Sequence, residues 1–313
     1  MMLARVADSL YWIGRYVERA EHHSRLCDVM LTAALDQNLA AVSVARRAIS
    51  AFVDAEDSLG REVSFAAAHT LVLDRGNRGS VVASLSRARE NARQVRDQIT
   101  TETWERLNLL YLRVISASAE RAFARGPATF LQSIIADLHL FKGAVDATMS
   151  HGQGWRFLLL GVYLERAQLI ARLLTVCFGD QSAKTPLEDH MTQVSVLRMA
   201  CALEPYLRVY TAEIHTRNLL EFLLFDEEFP HSVRFSIKRM EDHLTTLAQP
   251  GAADRSRPER LAARLSGRLE FADMDETLGP GALLSTVAQE CSAIHDAVYE
   301  TFISYPLEQR LPA

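Results

Sequence analysis

Apolar residues at the start of the chain recur in alternating steps of three and four: Leu3, Val6, Leu10, Ile13, Val17, Ala20, Ser24, Cys27 and Leu31. This is the seam of a bundled helix, and it predicts one helix of about 30 residues through positions 8–35. Glu18-Arg19-Ala20 lies in its middle. Further amphipathic segments follow at 42–58, 62–73 and 81–99, the last with Leu85, Ala88, Ala92, Val95 and Ile99 on one face. The break DRGNRGS closes the third segment, and its Ser80 can cap the fourth. Thr100 or Thr101 caps a helix over 102–124. Gly126-Pro127 ends that helix and opens another, with proline in the first turn, which runs to about Met149. Strand-type alternation is absent throughout. The fold class read from this pattern is all-α.

After SHGQG at 150–154 the pattern repeats itself. Glu18, Arg19 and Arg25 recur as Glu165, Arg166 and Arg172, each 147 residues later. The seam follows: Leu10, Ile13, Val17, Ala20 and Ser24 become Phe157, Leu160, Leu164, Ala167 and Ala171. Leu73-Asp74 matches Phe225-Asp226, Ser80-Val81 matches Ser232-Val233, Glu105-Arg106-Leu107 matches Glu259-Arg260-Leu261, and Gly126-Pro127 matches Gly279-Pro280. The ordered series predicts an internally duplicated helical bundle with about six helices per half. The halves, 1–150 and 151–313, are expected to pack as one pseudo-two-fold unit with the two Glu-Arg helices at the axis. So long a period is unlike a solenoid. The stretch AQPGAADRSRPE at 248–259 is the most loop-like segment.

Composition narrows the setting. With 49% hydrophobic residues in 313, a packed core is assured and disorder excluded. A net charge of −5 provides no general attraction to nucleic acid or anionic lipid. No stretch approaches the roughly 18 apolar residues of a membrane span, and the amphipathic beginning does not resemble a secretory signal. Cys27, Cys177, Cys201 and Cys291 are scattered in apolar helical contexts without a Cys-x-x-Cys, so they read as small buried hydrophobes in a reducing cytoplasm.

Candidate chemistry gathers in two places. On the first helix Tyr11, Glu18 and Arg25 form a column beside the seam, with Arg15 and Arg19 within one turn of Glu18 and Tyr11. Such a column either exchanges charge-assisted hydrogen bonds between packed helices, Glu18 and Glu165 each meeting an arginine, or forms a cleft for a charged ligand. The second place is Arg89-Glu90-Asn91-Ala92-Arg93 with Arg96. Its three arginines share a helix flank, and the guanidinium fork suits a carboxylate or phosphate. The repeat carries Glu241, Asp242 and His243 where Arg89, Glu90 and Asn91 stand, so this strip occurs once. A solvated face is its plain alternative. Trp104 and Asn108 follow one turn apart, Asn108 fitting a satisfied core amide. In Phe229-Pro230-His231-Ser232, Pro230 stiffens and Ser232 caps the mirrored helix start.

Metal chemistry finds little support. No Glu-x-x-His of the di-iron type is present. Glu18-x-x-x-His22 and Glu188-x-His190 do not repeat, so both histidines read as surface residues. Phosphate loops, nucleophile elbows and zinc-protease motifs are also missing, and no cofactor is expected. Nucleic-acid binding lacks its basic face.

Four blocks, SLYWIGRYVERAEHHSRLCDV, ARENARQVRDQITTETWERLN, LGVYLERAQLIARLL and FLLFDEEFPHSVRFSI, together resemble the alpha-E family, a bacterial family of all-helical domains. The resemblance covers essentially the whole chain. It carries the family's recurrent positions onto Tyr11, Trp12, Arg15, Glu18, Arg19, Arg25, Arg89, Glu90, Asn91, Arg93, Arg96, Trp104, Asn108, Glu165, Arg166, Pro230 and Ser232. In the second half Gln168 replaces the carboxylate of Glu21, so the two motifs are not equivalent. Members of the family are typically encoded or fused beside ATP-grasp ligases and transglutaminase-like peptidases. The resemblance therefore implies a system that makes and breaks amide bonds, though no ATP-grasp signature is present here. The leading expectation is a cytoplasmic helical accessory protein that docks an ATP-grasp ligase or its peptide substrate, with Arg89, Arg93 and Arg96 engaging a carboxylate. The alternative is an enzyme in which Glu18 or Glu165 acts as general acid or base. A third reading is a subunit that holds a homo-oligomer together.

Overall fold

The computed structural model describes residues 2–50, 52, 61–178, 186–210, 213–248, 256–272 and 280–304, and all regular structure among them is helical. The opening seam forms α1 (Ala4–Leu35), a single helix of 32 residues. It stops at Asp36, after which Gln37 takes a left-handed conformation at φ 55° that ends the helical run. Then come α2 (Leu39–Ser50), α3 (Arg61–Leu73), α4 (Val81–Gln94), α5 (Thr101–Ile115), α6 (Ala119–Arg125) and α7 (Pro127–Thr148). The second half holds α8 (Gln153–Phe178), α9 (Pro186–Met199), α10 (Leu203–Val209), α11 (Thr216–Phe225), α12 (Val233–Leu247), α13 (Arg257–Glu270) and α14 (Pro280–Val298), closed by a π-helical turn (Tyr299–Ile303).

Local chemistry explains most boundaries. The hydroxyl of Ser80 accepts from the Ala83 amide at the start of α4, and that of Ser232 accepts from the Phe235 amide at the start of α12. Thr100 rather than Thr101 caps α5, accepting from the Thr103 amide. Pro127 occupies the first turn of α7, where its missing N–H is harmless.

Some expectations need correcting. Seven helices fall in each half among the described residues, not six. The segment expected as one helix over 102–124 is two, α5 and α6. The hydroxyl of Ser116 turns back to the Arg113 carbonyl and meets Ser118, and Ser116 adopts extended backbone at ψ 152°. Serine competing for backbone groups breaks the helix there. The fourth segment ends at Gln94 instead of running to Ile99. The second segment beyond Ser50, apart from Phe52, lies outside the described residues, as does most of the loop at 248–259. Cys27, Cys177 and Cys291 are buried as expected, but Cys201 is half-buried in the turn after α9, with φ 58°.

The helices pack around a central pair. α1 and α8 share the most extensive interface of the molecule; α4, α7 and α2 surround α1, while α12 and α14 cover α8. One contiguous apolar core runs through both halves. Among the described residues no helix is long and apolar enough to cross a membrane.

Candidate functional site

The site is set by how closely α1 and α8 approach. A Cβ on Gly14 would stand 2.0 Å from the Leu158 carbonyl oxygen, and one on Gly161 would stand 2.0 Å from the Tyr11 carbonyl oxygen. Gly161 follows Gly14 by the same 147 residues as Glu165 follows Glu18, and Leu158 follows Tyr11 likewise. The contact is therefore reciprocal, backbone against backbone, and admits no side chain.

This approach carries the first polar residues beyond the crossing into each other's reach. Arg166 binds Glu18 in a fork, Nε to Oε1 at 2.6 Å and Nη2 to Oε2 at 3.0 Å. In return Arg19 Nε donates to Glu165 Oε1 at 2.6 Å. The glutamate of each Glu-Arg pair thus meets the arginine of the other helix. Arg15 adds a second donor to Glu165 Oε2 at 2.6 Å, and Lys142 of α7 adds one to Glu18 Oε2 at 2.6 Å. Both carboxylates are about 4% exposed and every oxygen is taken.

Beyond this exchange the two ends differ. On the Glu18 side Glu21 accepts from Lys142, from Arg25 at 2.8 Å and from His139 at 3.1 Å. On the Glu165 side Gln168 accepts from Arg15 Nη2 at 2.7 Å. His295 Nδ1 lies 3.3 Å from Arg15 Nη1 and 2.8 Å from the Tyr11 hydroxyl. A guanidinium only donates, so Nδ1 is the acceptor and the proton of neutral His295 sits on Nε2. Arg25 therefore serves Glu21 within α1 and Arg15 serves Glu165, while Glu18 and Glu165 each meet an arginine of the other helix, the first of the two arrangements expected for the column.

A cavity of about 10 Å³ lies against this network, lined by Glu18, Glu21, His22, Arg25, Arg166 and His231. It has room for roughly one water. His22 is not the surface residue expected from sequence; it turns inward beside Glu18. Arg166 Nη1 also donates to the Pro230 carbonyl at 2.9 Å, which ties the α12 approach to the crossing.

The electrostatics follow from burial against pairing. Burial pushes the Glu18 carboxyl up, but Arg166 and Lys142 outweigh it and hold the group at about 2. Glu165 is lowered in the same way by Arg15 and Arg19, and Glu21 by Lys142, His139 and Arg25. Burial lowers His22 to about 4 and His231 to about 3. Burial also raises the Tyr11 hydroxyl, so it stays protonated. All these groups bind fewer protons folded than unfolded at acidic pH, apart from Tyr11, which is protonated in both states. Stability is therefore expected to be full above pH 6.5, to fall as the histidines protonate in the unfolded chain, and to fall more steeply below pH 4.5 as the carboxylates do. Urea midpoints measured from pH 7.5 to 3 check this, and a flat profile down to pH 4 would contradict it.

The arginine strip does not survive as a strip. α4 ends at Gln94, where buried Val95 leaves helical geometry at φ −118°, so Arg96 lies past the helix. Arg93 points outward and pairs with exposed Glu90 at 2.7 Å. Arg89 donates to Asn108 Oδ1 at 3.1 Å, which is the satisfied amide anticipated for Asn108. Its guanidinium lies 5.5 Å from the Trp104 ring and 5.0 Å from the Tyr111 ring, while Arg96 lies 5.3 Å from Trp104. Two guanidiniums thus converge on one tryptophan, and neither makes a salt bridge among the described residues, although Arg89 helps to lower the neighbouring Glu90 carboxyl. The Asn91 carbonyl accepts from the Val95 amide at the end of α4. Arg172 is exposed over Phe52 at 4.5 Å and does not join the Glu-Arg network.

Sequence reasoning missed Lys142, His139, His231 and His295, as well as Gly14 and Gly161. One signal existed for Lys142: it is among three lysines in the chain, with Lys184 and Lys238, where arginine is otherwise the basic residue. Among the described residues no group of three or more His, Cys, Asp or Glu could hold a metal ion.

Comparison with known proteins agrees with this anatomy. The model of the Alpha-E family, described as a predicted alpha-helical domain with a conserved ER motif, matches residues 2–303. Uncharacterised proteins of Mycobacterium bovis and Mycobacterium tuberculosis are 26% identical over 327 residues, covering 93% of this chain and 35% of theirs. The chain thus spans about a third of the length of the curated relatives it matches. No solved structure matches it.

Proposed function

This chain belongs to the Alpha-E family, and we propose that it works as a helical accessory protein beside an ATP-grasp amide ligase, binding the ligase or its peptide substrate rather than performing the chemistry. The observation that carries this reading is the contrast between its two arginine clusters. At the helix crossing every carboxylate oxygen is paired, and the adjoining space holds about one water. A general base needs an oxygen that substrate can reach and a pKa near neutrality, whereas both glutamates are buried in ion pairs that hold their carboxyls low. At Trp104, in contrast, Arg89 is half-buried and Arg96 exposed, and among the described residues neither is in a salt bridge, Arg89 acting only through space on its neighbour Glu90. Guanidiniums spread over an aromatic face suit a partner's carboxylate. The greater length of the mycobacterial relatives supports a module that acts next to other chain. The ligase itself is what the family resemblance contributes.

Co-purification of the tagged chain with an ATP-grasp ligase of the kind the family resemblance implies tests the proposal. Arg96→Ala, at the exposed member of the pair, is expected to weaken retention several-fold with the melting temperature unchanged. Adding Arg89→Ala is expected to bring the loss to roughly tenfold or more with a modest fall in melting temperature, since Arg89 also holds Asn108. No complex, together with no change in ligase activity, would overturn it.

A further inference from the structure

The geometry points to a second binding site, a cleft of about 580 Å³ between the start of α1, the turn after α4 and the start of α8, fitted to a small zwitterionic amide of dipeptide size. The inference rests on observations separate from the Arg89–Trp104 cluster and stands without the ligase. Its volume is within the range of small-molecule sites.

Ser9 marks the floor. It is 5% exposed and lines the cleft, yet its hydroxyl makes no hydrogen bond among the described residues. Buried Ser24 and Ser236 return their hydroxyls to the carbonyl four residues back, whereas buried Ser64 and Ser84 are unpaired among the described residues but sealed from solvent. Ser9 does neither: its hydroxyl is unpaired among the described residues yet reachable from the cleft, free to donate to or accept from a ligand that displaces water there.

Around Ser9 the lining is a matched set. The Gln153 Oε1 accepts from the Met2 amide at 3.0 Å, which leaves its NH₂ to donate. The Gln98 NH₂ donates to Asp97 at 2.7 Å, which leaves its carbonyl oxygen to accept. One donor and one acceptor are what a single peptide group requires. Arg5 and Asp97 both line the same cleft, one cation and one anion for a free carboxylate and a free ammonium. Val6 and Val95 supply apolar wall for a small aliphatic side chain. A nucleotide would find one arginine and no phosphate loop, and a lipid tail would find too many amides.

The probe is L-alanyl-L-valine, titrated into the full chain to about 10 mM while the side-chain amide resonances of Gln98 and Gln153 are followed by NMR. Saturable shifts of both are expected. N-acetyl-L-alanyl-L-valinamide, which lacks both charges, is expected to bind roughly tenfold more weakly. Exposed Arg5→Glu leaves the fold intact and is expected to weaken the dipeptide by a similar factor. Val6→Phe, which fills the cleft, is expected to abolish the shifts. No saturable shift, or shifts of equal size with the blocked dipeptide and with Arg5→Glu, would overturn the proposal. The two sites are distinguishable, since Arg89→Ala with Arg96→Ala should leave the dipeptide titration unchanged.

Discussion

Gly161→Ala is expected to lower stability by about 3 kcal/mol, the upper end of ordinary overpacking. A β-carbon at that position would meet the Tyr11 carbonyl oxygen at 2.0 Å, and backbone cannot rotate aside as a flexible side chain can. The two helices must separate along their length, which also stretches the Glu-Arg exchange one turn away. Gly14→Ala presses on the Leu158 carbonyl from the other side and is expected to cost a similar amount. Because both substitutions open the same crossing, the double variant should cost clearly less than the sum of the singles. Urea denaturation with an unchanged slope measures all three. Stability within experimental error of the parent for either single variant would show that α1 and α8 do not meet so closely.

Glu18→Gln is expected to be about as damaging, at roughly 3 kcal/mol. The amide keeps the volume but removes the charge that balances buried Arg166 and half-buried Lys142. Arg166 would keep the Pro230 carbonyl and at most one bond to the amide oxygen, its other donor facing an NH₂ that cannot accept. The effect should shrink as pH falls from 4.5 toward 2, since protonation of Glu18 in the parent removes the same charge. Equal losses at pH 7 and pH 3 would contradict this origin.

The parts of this arrangement legible from sequence are those written locally. The three-four spacing marks α1 and α8, and the serine and threonine caps of α4, α5 and α12 act within three residues of themselves. The recurrence of Glu-Arg at a fixed interval pointed to an exchange between the two helices, and the geometry has that form. What escaped was either tertiary or concealed in the same interval. Lys142 arrives from α7 and His231 from the turn before α12, and no spacing in the chain ties them to Glu18. Gly14 and Gly161 obey the 147-residue interval, but an unremarkable glycine inside a helix draws less attention than a charge. The arginine strip failed for a different reason: helical spacing was projected beyond Gln94, where the backbone had already left helical geometry at Val95. The same turn that dispersed the strip sent Arg96 to Trp104 and placed Asp97 and Gln98 on the cleft.

The central claim is that the paired Glu-Arg residues lock α1 to α8 by mutual exchange and that binding belongs elsewhere. A double-mutant cycle of Glu18→Gln with Arg166→Met tests it most directly. The account predicts a coupling of about 2 kcal/mol or more, with the double variant more stable than Glu18→Gln alone, because removing both partners leaves no charge stranded. Additive losses, or two single variants as stable as the parent, would contradict it.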